Sequence, residues 1–248
     1  MAKIEWKEMK LFNPDTQKHW QVEVDGNTIR TCLNHGKVKE KEEKHPDDKA
    51  IQAVMGQLRK GFLYTDPNAN IGEPIIHRYV DKAYTGFMPI AARPDREDFY
   101  VTRVVGDFED EILYHFDADG QLLAKSCLGA NRLTYRAALA ADGTLYFDNT
   151  HKIEHFNPER EEFIQIEDEA QIRSMFHERP ENTVTYDNLR IDCSKGRGTI
   201  EIWDYQSDEL LLTVKNEFTV RNVNCALSSN RLIAHTDYGV LSIYKWQF

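Results

Sequence analysis

Nine histidines are the side chains in this sequence best able to do chemistry near neutral pH. Two of them, His115 and His155, fall at equivalent places in a repeated phrase, where symmetry-related imidazoles could converge on a metal. The matching places in the other two copies hold Ile202 and Ile243, so the set is half of a cage, and packed strand histidines are the favoured reading. The catalytic templates are absent: no Gly-rich phosphate loop, no His-Glu-x-x-His and no Gly-x-Ser-x-Gly elbow. Lys195-Gly196-Arg197-Gly198 could greet a phosphate but reads as a hairpin turn with no helix behind it. The acidic runs Glu159–Glu162 and Glu167–Glu169 read as solvated loops. Cys32, Cys127, Cys193 and Cys225 lie far apart with no Cys-x-x-Cys pair, and read as small apolar residues in a reducing compartment. No enzyme activity, metal or cofactor is expected.

Charge divides the chain. Residues 1–65 carry 12 Lys/Arg against 10 Asp/Glu, whereas residues 66–248 carry 19 against 31. The acidic part would repel a phosphate backbone, so any nucleic-acid contact belongs to the N-terminal part. No stretch approaches the roughly 18 apolar residues that span a bilayer, and the first residues lack a signal core. A cytoplasmic protein without a membrane partner is expected.

The elements that must position these residues announce themselves through a four-fold echo. Ile112–Asp117, Ile153–Asn157, Ile200–Asp204 and Leu241–Lys245 repeat one strand-like phrase, with aromatic residues at 116, 156, 203 and 244. The intervals of 40, 47 and 41 residues, each filled by short strands and turns, are those of a β-propeller. Unit two is the clearest: strands over 135–140, 144–147, 152–156 and 163–166, separated by Asp142-Gly143, Asn149 and Asn157-Pro158. Unit four supplies only three strands before Phe248, which leaves an open edge. The orphan run Ile75–Val80 is expected to pair with Leu241–Trp246 and close a ring of four blades. An incomplete ring, or one completed by a second copy, is the alternative. The longest interval holds a short helical stretch over 169–177, whose Ile172, Met175 and Phe176 are either anchors for a protein partner or a helix packed on its own blades.

Upstream, Trp20, Val22 and Val24 alternate with polar residues up to Asp25-Gly26-Asn27, and Thr28–Leu33 returns, which predicts a hairpin. A charged stretch, Lys37–Lys44, leads to a helix that opens on Pro46-Asp47-Asp48 and stops at Gly61. Its apolar face is Ile51, Val54, Met55 and Leu58.

Residues 10–65 resemble the WGR domain: Lys18–Thr28 is similar to its opening strand and turn, and Lys60-Gly61-Phe62 to the phrase that ends its helix. His35-Gly36-Lys37 stands where the Trp-Gly-Arg signature falls. That family contacts DNA and neighbouring domains in poly(ADP-ribose) polymerases and occurs in bacterial regulatory proteins. The resemblance implies a contact surface at His35, Lys37 and Lys39, for nucleic acid or for a protein. His can stack on a base and Lys can meet a phosphate without the bidentate fork of Arg. Ile200–Asp204 and Asp237–Tyr244 resemble the strand endings of WD repeats, although no unit has that family's Gly-His pair.

The expected architecture is mainly β: an α+β WGR-like domain over 1–66, a linker over 67–72, and a WD-like four-bladed propeller over 73–248. The expected role is protein-protein recognition without catalysis, in a setting that the resemblance makes a bacterial regulatory or defence assembly. Nucleic-acid binding through the N-terminal module is the alternative role.

Overall fold

The computed structural model describes residues 8–81, 89–103, 110–130, 136–149, 152–157, 160, 162–166, 172, 176, 183–186, 188–193, 198–218, 223–236 and 238–247. An antiparallel sheet opens the chain, in the order β1 (Glu8–Asn13), β2 (Lys18–Asp25), β3 (Thr28–Leu33), β4 (Lys39–Glu42). The β2–β3 hairpin turns at Gly26, whose φ of +59° suits a residue without a Cβ. The charged stretch Lys37–Lys44 contains β4, an edge strand whose four residues are all exposed. Charges on an open edge discourage pairing with a second chain.

Helix α1 (Pro46–Leu58) places proline in its first turn with Asp47 and Asp48, where the helix dipole favours negative charge. Its Ala50, Val54, Met55 and Leu58 are buried with Leu11, Trp20 and Val22 of the sheet. The helix ends as the sequence predicts. Gly61 (φ +84°) donates its N–H to the Leu58 carbonyl at 3.0 Å and Phe62 to the Gln57 carbonyl at 3.2 Å, the bond pair of a Schellman cap.

Four successive antiparallel sheets follow. The first orders β7 (Ile90–Ala92), β8 (Asp98–Arg103), β9 (Asp110–Asp117) and β10 (Leu122–Ala130) side by side. The second has β11 (Arg136–Leu139), β12 (Leu145–Asn149), β13 (Lys152–Asn157) and β14 (Glu162–Gln165). The third has β15 (Thr183–Tyr186), β16 (Leu189–Asp192), β17 (Thr199–Asp204) and β18 (Leu210–Lys215). The last begins with β19 (Val223–Ser228), β20 (Arg231–Thr236) and β21 (Val240–Lys245). Two earlier strands then extend it, β6 (Pro74–Tyr79) and β5 (Tyr64–Thr65). The orphan run therefore pairs where the open edge demands, with Leu241 opposite Arg78 and Ile243 opposite Ile76.

The fold is mainly β and propeller-like in its sheet order. Apolar cores lie between the sheets: Phe99 and Phe116 meet Ala226 and Ile243, Leu113 meets Leu145 and Phe156, and Ile200 meets Leu232 and Tyr244. Three of the four echo aromatics face a neighbouring sheet, whereas Trp203 packs under the Arg190 guanidinium of its own sheet at 5.3 Å. Phe156 and Tyr244 each face the preceding sheet, and Phe116 faces the last one. Each fully buried aromatic or branched aliphatic side chain contributes about 1.5–3 kcal/mol.

The stretch over 67–72, expected to be a linker, is tied into this body. Gly72 N–H donates to the Lys245 carbonyl at 2.9 Å, Lys245 N–H donates to the Glu73 carbonyl at 3.0 Å, and Ala69 is buried. Beyond β18, Phe218 reaches out of the propeller-like body into the core of Met9, Trp20, Leu58 and Phe62, joined there by Val240. No described helix is long and apolar enough to cross a membrane.

Candidate functional site

A groove of about 450 Å³ opens on the N-terminal sheet, lined by Lys18, Trp20, Thr31, Cys32, Leu33, Lys37, Lys39, Gln57, Lys60 and Phe62. Its geometry follows from the hairpin and the helix end. Lys18 and Trp20 come from β2, and Leu33 is the cross-strand partner of Trp20. Lys39 opens β4 opposite Thr31, while Gln57, Lys60 and Phe62 belong to the end of α1 and its cap. Asn13 fixes that end by donating its side-chain amide to the Lys60 carbonyl at 2.9 Å.

Trp20 and Phe62 are buried and form an apolar floor, whereas the four lysines are exposed. Among the described residues no carboxylate lines the groove, and none of the four ammonium groups makes an ion pair. Arg30 and Lys41 of the same module, by contrast, are paired. Arg30 is held by Glu40 at 2.9 Å and Asp25 at 3.2 Å, bonds that push its pKa up. Lys41 pairs with Glu43 at 2.5 Å and pulls that carboxyl below its usual range. Four uncompensated positive charges over an aromatic floor can hold an anionic ligand that also carries apolar surface.

Of the three residues expected at a contact surface, Lys37 and Lys39 line this groove and His35 does not. His35 stands at the tip of a tight loop, exposed, with φ +55°, next to Asn34 at φ +50°. Asn34 anchors the loop twice: its N–H donates to the His19 carbonyl and its Oδ1 accepts from His19 N–H, both at 2.8 Å. The His35 ring lies 6.1 Å from that of His19, which in turn lies 4.9 Å from Phe12. Two consecutive non-glycine residues in the left-handed region are unfavourable on their own, and the paired Asn34 bonds hold them there.

Lys18 and Lys60 complete the groove from positions that local pattern did not single out. Sequence reading takes Lys18 only as the start of the opening-strand resemblance, and Lys60 only in the Lys60-Gly61-Phe62 phrase assigned to helix termination.

The second group of expected contact residues is placed differently. Phe176 is buried against Ala138 and Ile153, beneath the guanidinium of Arg136 at 5.7 Å, and Ile172 is partly buried in the same cluster. Phe176 is therefore committed to the core of the second sheet. Met175 lies outside the described residues, as do Lys195, Gly196 and Arg197 of the Gly-containing turn.

His115 and His155 each face a cross-strand tyrosine. The His115 ring stacks on Tyr100 at 4.2 Å and its Nε2 bonds Asp98 at 3.0 Å, while His155 lies 5.8 Å from Tyr146. Among the described residues no group of three or more metal-ligating side chains comes together.

The chain is similar to several solved lyase structures. One is a streptogramin B lyase, 15% identical, with all of this chain and 86% of that one covered at a TM-score of 0.26. Another is a virginiamycin B lyase from Staphylococcus aureus, 13% identical over 98% and 100% of the two chains, at a TM-score of 0.27. A third solved structure is BamB from Moraxella catarrhalis, 16% identical over all of this chain and 60% of that one, at 0.22. No protein-family model matches the chain, and no curated protein matches it. The sheet order itself, rather than these likenesses, defines the architecture.

Proposed function

We propose that this chain is a non-enzymatic binding protein that grips an acidic segment of a partner protein in the lysine-lined groove. The single observation that carries this reading is the grouping of Lys18, Lys37, Lys39 and Lys60 over Trp20 and Phe62 with no carboxylate among the described lining residues. Leu33 and Val38 flank the cations, each 48% exposed, and suit a ligand whose acidic residues alternate with apolar ones. The rest of the chain serves as the platform: a four-bladed ring closed by β6, carrying a WGR-like module on its last blade. The acidic excess over 66–248 favours a short peptide over a long nucleic acid, which would run into like charge beyond the groove.

Nucleic-acid binding is the second reading, favoured by the exposed His19–His35 ring pair beside the lysine loop, since such rings can stack on unpaired bases. Fluorescence anisotropy separates the two. A labelled peptide of alternating Glu and Leu should bind the full chain at physiological salt, and Lys37→Glu should weaken it roughly tenfold. A single-stranded oligonucleotide should then bind only at low salt. Oligonucleotide binding that persists at physiological salt, with a log–log salt slope reduced by Lys37→Glu, would establish the second reading instead. Binding of neither probe sinks both.

A further inference from the structure

Two cysteines distant in the sequence meet at a seam between sheets. Cys193 directly follows β16 in the third sheet, and Cys225 lies in β19 of the last. Their Sγ atoms are 3.0 Å apart, both residues are buried, and both are reduced. The surroundings are mostly apolar, with Ile191, Ile200, Val223, Leu227 and Leu232, although the buried phenols of Tyr186 and Tyr244 also lie near. Buried cysteines commonly serve as small apolar residues. The mutual aim of the sulfurs is the feature that packing leaves unexplained.

We propose that Cys193 and Cys225 are a covalent modification site, closing to a disulfide that clasps the third and last sheets when the chain meets an oxidised low-molecular-weight thiol. The sulfurs need to approach by only about 1 Å to reach the bonding distance of ~2.05 Å. The thiolate of one cysteine attacks the reagent's disulfide, forming a mixed disulfide and releasing one reduced reagent thiol. The thiolate of the other then attacks the protein sulfur of that mixed disulfide and releases the second. Two protein thiols become one disulfide, and the oxidised reagent takes up both electrons and both protons as two thiols.

The seam also governs when this happens. Burial and the neighbouring thiol hold Cys225 well above the usual thiol pKa, so thiolate is scarce once the sheets are seated. The reaction therefore belongs to folding, before β19 docks, or to an opening of the seam. The remaining cysteines are natural controls. Cys127 is exposed, and Cys32 donates its thiol to the Gly36 carbonyl in the N-terminal hairpin.

The test is to unfold the full chain without reductant, refold it with oxidised and reduced glutathione, alkylate, and map the peptides by mass spectrometry. Two protected thiols and one linked peptide pair containing Cys193 and Cys225 are expected. The melting midpoint should rise by on the order of 5 °C or more over the reduced protein. Cys193→Ser should lose both the link and the rise, and Cys127→Ser should keep both. Four alkylated thiols, a link through Cys32 or Cys127, or a correct link without a rise in midpoint would overturn the clasp. Should Cys193→Ser fail to fold, the oxidised and reduced wild-type proteins decide the question by themselves.

Discussion

Burial of three titratable side chains contributes to how the molecule answers to pH. Desolvation pushes the imidazoles of His77 and His235 down to about 3, so both are neutral when folded and titrate near ~6.5 when unfolded. Below that value the unfolded chain binds the additional protons. The stability these groups contribute is complete above about pH 6.5 and is lost progressively as pH falls toward 3. Glu217 has the opposite sign. Burial raises its carboxyl to about 7, so the folded state holds a proton that the unfolded state gives up near ~4.5, and stability declines as pH rises between those values. Glu217→Gln should therefore gain stability over wild type progressively from about pH 4.5 to 7 and level off above, by on the order of 1–3 kcal/mol. Urea unfolding across that range checks it, and a pH-independent difference would contradict it. His235 differs from His77 in having neither ring nitrogen partnered among described residues, whereas His77 Nδ1 lies 2.8 Å from Ser242 Oγ. Replacing an unsatisfied buried polar group by an apolar one of similar size is close to neutral or stabilising. His235→Leu should hold its stability at pH 7 and lower the slope of stability against pH by about one proton between about pH 6 and 4, read from the same titration.

At the scale of elements, glycines at turns decide which joins are rigid. Gly239, between β20 and β21, has φ +79°, and a Cβ there would lie 1.8 Å from the carbonyl oxygen of Asp81 just past β6. Backbone cannot yield, and the same turn supplies the carbonyl that accepts Val80 N–H at 2.8 Å. At Gly120, also at positive φ, the nearest atom to a Cβ is the Ile243 Cδ1 methyl at 2.8 Å, the mobile end of a side chain. Gly239→Ala should thus cost about 3 kcal/mol or more and Gly120→Ala roughly 1–2, measured by denaturant unfolding. Equal costs would mean that the β6–β21 join is softer than the contact implies. The turn at Tyr238-Gly239 and nearly every strand of the four sheets were legible because turn chemistry and short-period alternation are local. Strand β4 was not, because its four charged residues carry no alternation; backbone pairing to β3 alone makes it a strand. Nor could alternation identify His77 and His235. In β21 five of six residues are buried, and His77 lies in the neighbouring strand, since stacked sheets cover both faces and erase the inside-outside signal. The groove stayed hidden for a different reason: Lys18 and Lys60 lie far apart in sequence, and only the docking of α1 on the hairpin brings them together. Its other half, Lys37 and Lys39, was legible through a family resemblance that fixed attention on the loop after β3.

At the scale of the whole molecule, the sequence suggests two modules joined by a short linker, while the packing joins them through one core. Phe218, 1% exposed, and Val240 come from the propeller-like body yet pack among Trp20, Leu58 and Phe62 of the N-terminal sheet and helix. The Phe218 loop is itself anchored in the last sheet. Its N–H donates to Asn216 Oδ1 at 3.0 Å, and Asn216 Nδ2 donates to Ser242 Oγ at 3.0 Å, the hydroxyl that also meets His77. Loss of either part therefore uncovers the side chains that complete the other, and the two should unfold together. Wild type is expected to show one urea transition, with far-UV circular dichroism and the fluorescence of Trp20, isolated by Trp6→Phe, Trp203→Phe and Trp246→Phe, superimposing. Phe218→Ala should destabilise by about 3–5 kcal/mol, because the cavity lies between two bodies that cannot both collapse onto it. It should also separate the two signals, with Trp20 reporting an earlier transition than the strands. Non-coincident transitions in the wild type would show that the N-terminal module is held only by its chain connection. The groove it carries would then be a binding site on a tether rather than a fixed face of the platform.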